Sequence, residues 1–139
     1  MSVVLPPDLE LWLCQYLRSK LTDVPGVQVG NKRPDPVILP DTVPLVTIRD
    51  DGGYRDDFAA FDRSIGVNVY GWSRSNDKPC KDLARRVFGL LADPDIATVP
   101  GSPIINVDGS SCNGPYPVTE DEQYAHYYLI IAYTVIGEY

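Results

Sequence analysis

The stretch from Ser64 to Asp93, SIGVNVYGWSRSNDKPCKDLARRVFGLLAD, changes from a strand pattern to a helix pattern around a polar turn. In its first part Ile65, Val67 and Val69 alternate with other residues, which is the period of a strand with one apolar face. In its second part apolar residues recur at helical spacing, at Leu83, Ala84, Val87, Phe88, Leu90 and Leu91. Because two such faces bury each other when a helix lies across a sheet, the stretch predicts helix packed on sheet.

The rest of the chain supplies a second helix and further strands. The spacing of apolar residues predicts an amphipathic helix over residues 8–22. Short apolar runs predict strands over residues 27–29, 45–49 and 104–107, and we expect 45–49 to pair antiparallel with the strand at Ser64. The predicted fold is therefore α+β, a mainly antiparallel sheet with two amphipathic helices on one face. At 139 residues the chain fits a single domain.

The segment from Gln123 to Ile136 predicts a strand that is apolar on both faces. Tyr128 and Ile130 lie on one side, and Tyr127 and Leu129 on the other. A half-exposed antiparallel strand normally alternates with polar residues. This strand is therefore either central and covered on both faces, or its second face contacts another subunit.

Two segments are expected to be irregular. Residues 30–44 carry four prolines and predict a surface loop. Residues 50–63 alternate carboxylates with aromatic and arginine residues, which fits either a solvated loop or an interaction loop, but not a calcium-binding loop. The candidate interaction residues of this loop are Asp50, Asp51, Tyr54, Arg55, Asp56, Asp57, Phe58 and Phe61.

The predicted second helix is basic away from its apolar stripe. Lys78, Lys81, Arg85 and Arg86 fit a solvated face, or a surface that meets the acidic loop of a neighbouring subunit in a head-to-tail contact. Arg85 and Arg86 are therefore further candidate interaction residues. Gly89 lowers the stability of the helix by about 1 kcal/mol relative to alanine, which favours close approach of a neighbour.

The sequence carries no recognisable catalytic or cofactor-binding motif. His126 is the only histidine, and Cys14, Cys80 and Cys112 have neither zinc-ligand nor disulfide spacing. Ser110-Ser111-Cys112 lacks the motif of an activated nucleophile, and no phosphate-binding glycine loop is present. We therefore predict a protein that is not an enzyme and that uses no cofactor or metal.

Charge and hydropathy exclude two further classes of function. A net charge of −7 disfavours direct binding to nucleic acid, which recruits clustered Lys and Arg. The apolar run from Tyr127 to Gly137 is about half the roughly 20 residues of a membrane-spanning helix. Since the first residues also lack a basic signal region, we expect a soluble protein made in a reducing cytoplasm.

The order of elements and several segments resemble the tail terminator proteins of long-tailed bacteriophages, together with related minor tail and neck proteins. The resemblance rests on pattern over most of the chain and has no diagnostic motif. The segments that carry it are Val43–Ile48 with Asp51-Gly52-Gly53, Ile65–Gly71, Asp82–Val87 and Tyr127–Gly137.

This resemblance implies a structural virion protein. It implies a homohexameric ring that caps the tail tube, stops its polymerisation and forms the surface joining head to tail. The implied partners are the major tail tube protein and a neck or head-completion protein, with DNA only as cargo passing through the channel, where an acidic wall would not trap it. The implied location is the tail–neck junction of the virion, after synthesis in the host cytoplasm. The alternatives are a neck connector or head-closure protein and, from another class, a small-ligand-binding or enzymatic α+β domain.

Overall fold

A computed structural model describes residues 3–32, 44–119 and 124–138 of the chain. It confirms the predicted α+β class, with a mainly antiparallel sheet and two α-helices. The elements in chain order are α1 (Leu9–Lys20), β1 (Gln28–Gly30), β2 (Leu45–Asp50), β3 (Arg55–Asp57), β4 (Ala60–Gly71), α2 (Lys78–Leu91), β5 (Ile104–Val107), β6 (Asn113–Pro117) and β7 (Ala125–Ile136). Short 3₁₀ helices cover Pro94–Thr98 and Gly109–Ser111.

The sheet is built around the long pair β4 and β7. The strand order is β1-β2-β4-β7-β5, with β3 also paired to β4 and β6 also paired to β7. The β4–β7 ladder is antiparallel from Ala60 opposite Ile136 to Gly71 opposite Ala125. β2 pairs antiparallel with β4, as expected from the sequence, and the only parallel pair among the described strands is β1 with β2.

The main core lies between the helices and one face of the sheet, which we call the inner face. Burying one valine, leucine or isoleucine side chain contributes about 1.5–3 kcal/mol to the stability of the fold. Because this layer buries many of them, it is the main source of stability. The fully buried residues of the layer include Leu13 and Leu17 from α1, Ala84, Val87 and Leu91 from α2, Ile65, Val67 and Val69 from β4, and Leu129, Ile131 and Val135 from β7.

Side-chain hydrogen bonds fix both ends of α1. The Asp8 carboxylate accepts a bond from the Leu11 amide at 3.1 Å and so caps α1. The Arg86 guanidinium on α2 binds both carboxylate oxygens of Asp23, at 2.9 and 2.8 Å, and the Lys20 carbonyl at 3.0 Å. This arginine therefore ties α2 to the segment that follows α1.

Strand β7 is central in the sheet but covered by helices on one face only. Its inner-face residues are buried, whereas Tyr128 and Ile130 on the opposite, outer face are partly exposed and Ile136 is 50% exposed. Of the two alternatives that the sequence left open, complete cover of both faces within one copy is therefore not what the structure shows. Contact of the second face with another subunit stays a prediction.

The charged segment is shorter and more regular than the sequence predicted. β4 begins at Ala60 instead of Ser64, and β3 pairs with it, so that residues 55–61 form a hairpin within the expected loop 50–63. β6 was not predicted. Of the expected irregular segment 30–44, residues 33–43 lie outside the described part of the chain.

Candidate interaction surfaces

The β3–β4 hairpin presents two exposed aromatic side chains, Phe58 at its tip and Tyr54 at its base. Arg55 donates from Nε and Nη2 to the Phe58 carbonyl, at 3.2 and 2.6 Å, and its guanidinium lies 5.5 Å from the centroids of the Phe58 and Phe61 rings. Tyr54 is 83% exposed and Phe58 is 66% exposed. Exposed aromatic residues held in place beside an arginine are typical of interface anchors.

The base of the hairpin depends on a glycine. A Cβ atom at Gly53 would lie 2.0 Å from the Asp62 carbonyl oxygen, so only glycine allows the two backbones to approach this closely. Asp62 also makes two hydrogen bonds at the base of the hairpin. Its amide donates to the Tyr54 carbonyl at 2.8 Å, and its carboxylate accepts from Thr134 Oγ1 at 3.0 Å. The hairpin is therefore anchored to both β4 and β7.

The residues predicted for the charged loop separate into three places. Tyr54, Arg55, Asp56, Asp57 and Phe58 lie together at or next to the hairpin, all exposed. The exposed Phe58 follows Asp56 and Asp57 directly in the chain.

The other predicted loop residues serve the fold. The Asp50 amide donates to Glu10 Oε2 at 2.7 Å, and its carboxylate accepts from the Gly52 amide at 2.8 Å. Asp51 pairs with Arg49. Phe61 is only 7% exposed and belongs to the main core, so its assignment to an interaction surface is wrong. An inward position on β4 explains this, and it became visible only once the strand was known to begin at Ala60.

A second surface, which we call the apolar end, lies where β4 begins and β7 ends. Two backbone hydrogen bonds connect the end of β7 to neighbouring segments. The Gly137 amide donates to the Ala59 carbonyl at 2.7 Å, and the Ile136 amide donates to the Pro103 carbonyl at 2.8 Å. Next to it, Leu11, Pro103 and Glu138 line a cleft of about 290 Å³. The apolar end consists of Val3 (71% exposed), Leu5 (52%), Leu11 (53%), Ile105 (51%) and Ile136 (50%).

The apolar end could not be predicted from local sequence patterns. Its members come from the N-terminal segment, α1, β5 and β7, so no single periodic pattern contains them. The one available signal was Ile105, which faces away from the core next to the buried Ile104.

A third surface runs along α2 and is defined by Lys78, Lys81, Arg85 and Gly89; we call it the α2 stripe. Asp82 forms ion pairs with Lys78 at 2.7 Å and Arg85 at 3.3 Å, and these bonds lower the pKa of its carboxyl group, Lys78 having the larger effect. The three positive charges of Lys78, Lys81 and Arg85 exceed the one negative charge of Asp82, so this face has a net charge of +2. Of the two arginines predicted to interact, Arg85 is on the stripe, whereas Arg86 is already bound to Asp23.

Two further polar side chains, His126 in the sheet and Cys80 on α2, are buried within the fold. His126 is buried, lies 2.7 Å from Asn68 Oδ1 through Nε2 and stacks on Tyr70. Burial, followed by the charge of Asp77, raises the pKa of the Cys80 thiol to about 12. Over residues 3–32, 44–119 and 124–138, no group of three His, Cys, Asp or Glu side chains could hold a metal ion.

The chain matches no protein-family model and no curated protein sequence. In the part of the chain that the structure describes, no helix is long and apolar enough to cross a membrane. The likeness to tail terminators therefore depends on the order of elements and on the segments quoted for it.

Proposed function

We propose that this chain is a structural protein of a bacteriophage virion, the tail terminator. The observation that supports this most directly is the apolar end, five exposed apolar residues gathered where the sheet ends and next to a rigid hairpin. A protein that stops a growing tube must bind the tube's last ring through a broad surface. An exposed apolar surface supplies the burial that such binding needs.

The proposal assigns one role to the apolar end and another to the opposite side of the ring. Six copies form a ring, and the apolar end binds the major tail tube protein. The opposite side of the ring is left for the neck or head-completion protein, at the tail–neck junction. DNA passes through the central channel as cargo, and the net charge of −7 keeps it from adhering to the wall.

A neck connector is the second candidate, because the same apolar end would serve to bind a neighbouring ring of the neck. The two candidates differ in the partner. A terminator binds the end of the tail tube, whereas a connector binds the portal side and leaves tube growth unchanged.

Two measurements test the proposal. The first is the solution mass of the purified chain over a wide concentration range, by light scattering after size exclusion, where a closed oligomer near six copies is expected. The second is polymerisation of the phage's purified tube protein with and without this chain, followed by electron microscopy. Shorter, capped tubes support a terminator. Tubes of unchanged length that carry no bound chain would overturn it.

A further inference from the structure

The hairpin tip and the α2 stripe have opposite charge. At the tip, Asp56 and Asp57 are exposed, and within the described residues neither forms an ion pair, while Arg55 is turned back onto the Phe58 carbonyl. On the stripe, Lys81 is exposed and has no ion-pair partner in the described part of the chain. Unlike charges that are unpaired within one copy are available to a second copy.

Gly89 is an independent sign that something covers the stripe. It lies inside α2, where glycine is less stable than alanine, and an added Cβ would meet no atom within 4 Å. Packing within the chain therefore does not require a glycine here. Gly89 makes the helix less stable, and no contact within the chain requires it. Its presence is explained if a neighbouring molecule packs directly against the helix backbone at this position.

The order of groups along the two surfaces matches, and the long side chains of Lys81 and Arg85 can make up the difference in spacing. Phe58 directly follows Asp57, so an aromatic ring and a carboxylate are presented about 4 Å apart along the chain. Gly89 follows Arg85 by one helical turn, about 6 Å along the helix axis. A hairpin tip lying along α2 can therefore place its carboxylates toward Lys81 and Arg85 while Phe58 packs on Gly89.

We infer that the hairpin tip of one copy docks on the α2 stripe of a second copy, with Asp56 and Asp57 facing Lys81 and Arg85 and with Phe58 against Gly89. This inference rests on the proposed ring and names its contact. The two surfaces belong to different elements, so the contact is head-to-tail, and a repeated head-to-tail contact closes into a ring when its rotation allows. Each copy then uses both surfaces.

Charge exchange tests the contact. Lys81→Glu with Arg85→Glu, and separately Asp56→Lys with Asp57→Lys, are each expected to weaken association about tenfold or more, measured as the concentration at which half the chain is assembled. The chain that carries all four substitutions is expected to assemble again, because the charges are then opposite once more. The matched control is Lys20→Glu with Lys32→Glu, which changes net charge by the same amount at exposed positions outside both surfaces. This control is expected to assemble like the unmodified chain.

Gly89→Leu separates the contact from folding. Leucine is a better helix former than glycine, so the variant is expected to melt at a higher temperature than the unmodified chain and yet to lose assembly. Ser19→Leu, at an exposed position on α1, is the control and is expected to keep assembly. Retained assembly of Gly89→Leu would overturn the position of Phe58 in the contact.

The outcomes distinguish this inference from the proposed function. Failure of the fourfold variant to assemble, or full assembly of either reversed pair, overturns the inference. A chain that is monomeric at every concentration but caps tubes overturns it too, and leaves the terminator proposal standing. A chain that assembles through this contact but neither binds nor shortens tubes supports the inference and removes the terminator proposal.

Discussion

At the scale of single residues, Tyr127 gives the fold a measurable dependence on pH. Its hydroxyl donates to Asp77 Oδ2 at 2.7 Å, which joins β7 to the residue before α2. Burial, and then the bond to Asp77, raise the pKa of Tyr127 to about 12. Because this folded-state pKa lies above the ordinary value, its contribution to stability is complete below about pH 10 and is lost as the pH rises through about 12.

Tyr127→Phe is therefore expected to lower the free energy of unfolding near neutral pH. The expected cost is about 1.5 kcal/mol, the low end for a hydrogen bond to a charged group, because Asp77 is exposed to water. The difference between the two chains should shrink between pH 10 and pH 12, as measured by urea unfolding. Tyr54→Phe, at an 83% exposed position, is the control and should leave stability unchanged. A difference that stays constant across this pH range would contradict the assignment.

Gly53 and Gly89 predict opposite results for the same substitution. Gly53→Ala places a methyl group against the Asp62 backbone and is expected to cost about 1–3 kcal/mol, since the base of the hairpin must move. Gly89→Ala meets no neighbouring atom and is expected to stabilise the isolated chain by about 1 kcal/mol. Thermal unfolding of the two variants under conditions where the chain is monomeric measures both. Equal effects would show that the close approach at Gly53 is absent in solution.

At the scale of elements, Arg55 determines the order of the hairpin. Arg55→Lys keeps the charge but cannot reproduce the two bonds from Nε and Nη2 to the Phe58 carbonyl. Amide hydrogen exchange at Phe58 and Ala59 is expected to become faster, while exchange in the β4–β7 ladder stays the same. Lys32→Arg, at an exposed position outside the hairpin and α2, is the control for a lysine–arginine exchange elsewhere. Unchanged exchange at the tip would mean that the backbone alone holds the turn.

The elements that the sequence predicted are those with strong periodicity. α1, α2, β2, β5 and most of β4 and β7 were recovered, because their apolar residues bury against one another and the pattern records that burial. β3 has three exposed polar residues and so carries no burial signal. β6 contains Gly114, Pro115 and Pro117, which indicate a loop. Within the described sheet β6 pairs only with β7. Proline has no amide hydrogen to donate, and an edge strand tolerates this because one of its sides forms no strand pairing.

The candidate surfaces were predicted less well than the fold, for a physical reason. Charge and aromatic content identified the hairpin residues, but Phe61 was assigned to the surface because an inward strand position could not be seen before the strand's start was known. Ion pairing between Arg86 and Asp23 joins residues far apart in the chain, and so does the apolar end. Such contacts depend on tertiary packing, which local sequence patterns do not record.

At the scale of the whole molecule, the proposed tube contact of the apolar end and the inferred contact between the hairpin and the α2 stripe use different residues and should fail separately. Leu5→Ser with Ile105→Ser removes two side chains that are about half exposed, so a cost of about 1 kcal/mol or less per site is expected in folding. The double variant should keep the solution mass of the unmodified chain, because neither residue belongs to the hairpin or to α2. Under the proposed function it should no longer shorten tubes of the tail tube protein, because the apolar contact proposed with the last ring is removed. Val118→Ser, at a 37% exposed position in the segment after β6, is the control and should still cap tubes. Loss of the ring in the double variant would show that the apolar end joins copies of the chain, and that the tube is bound elsewhere.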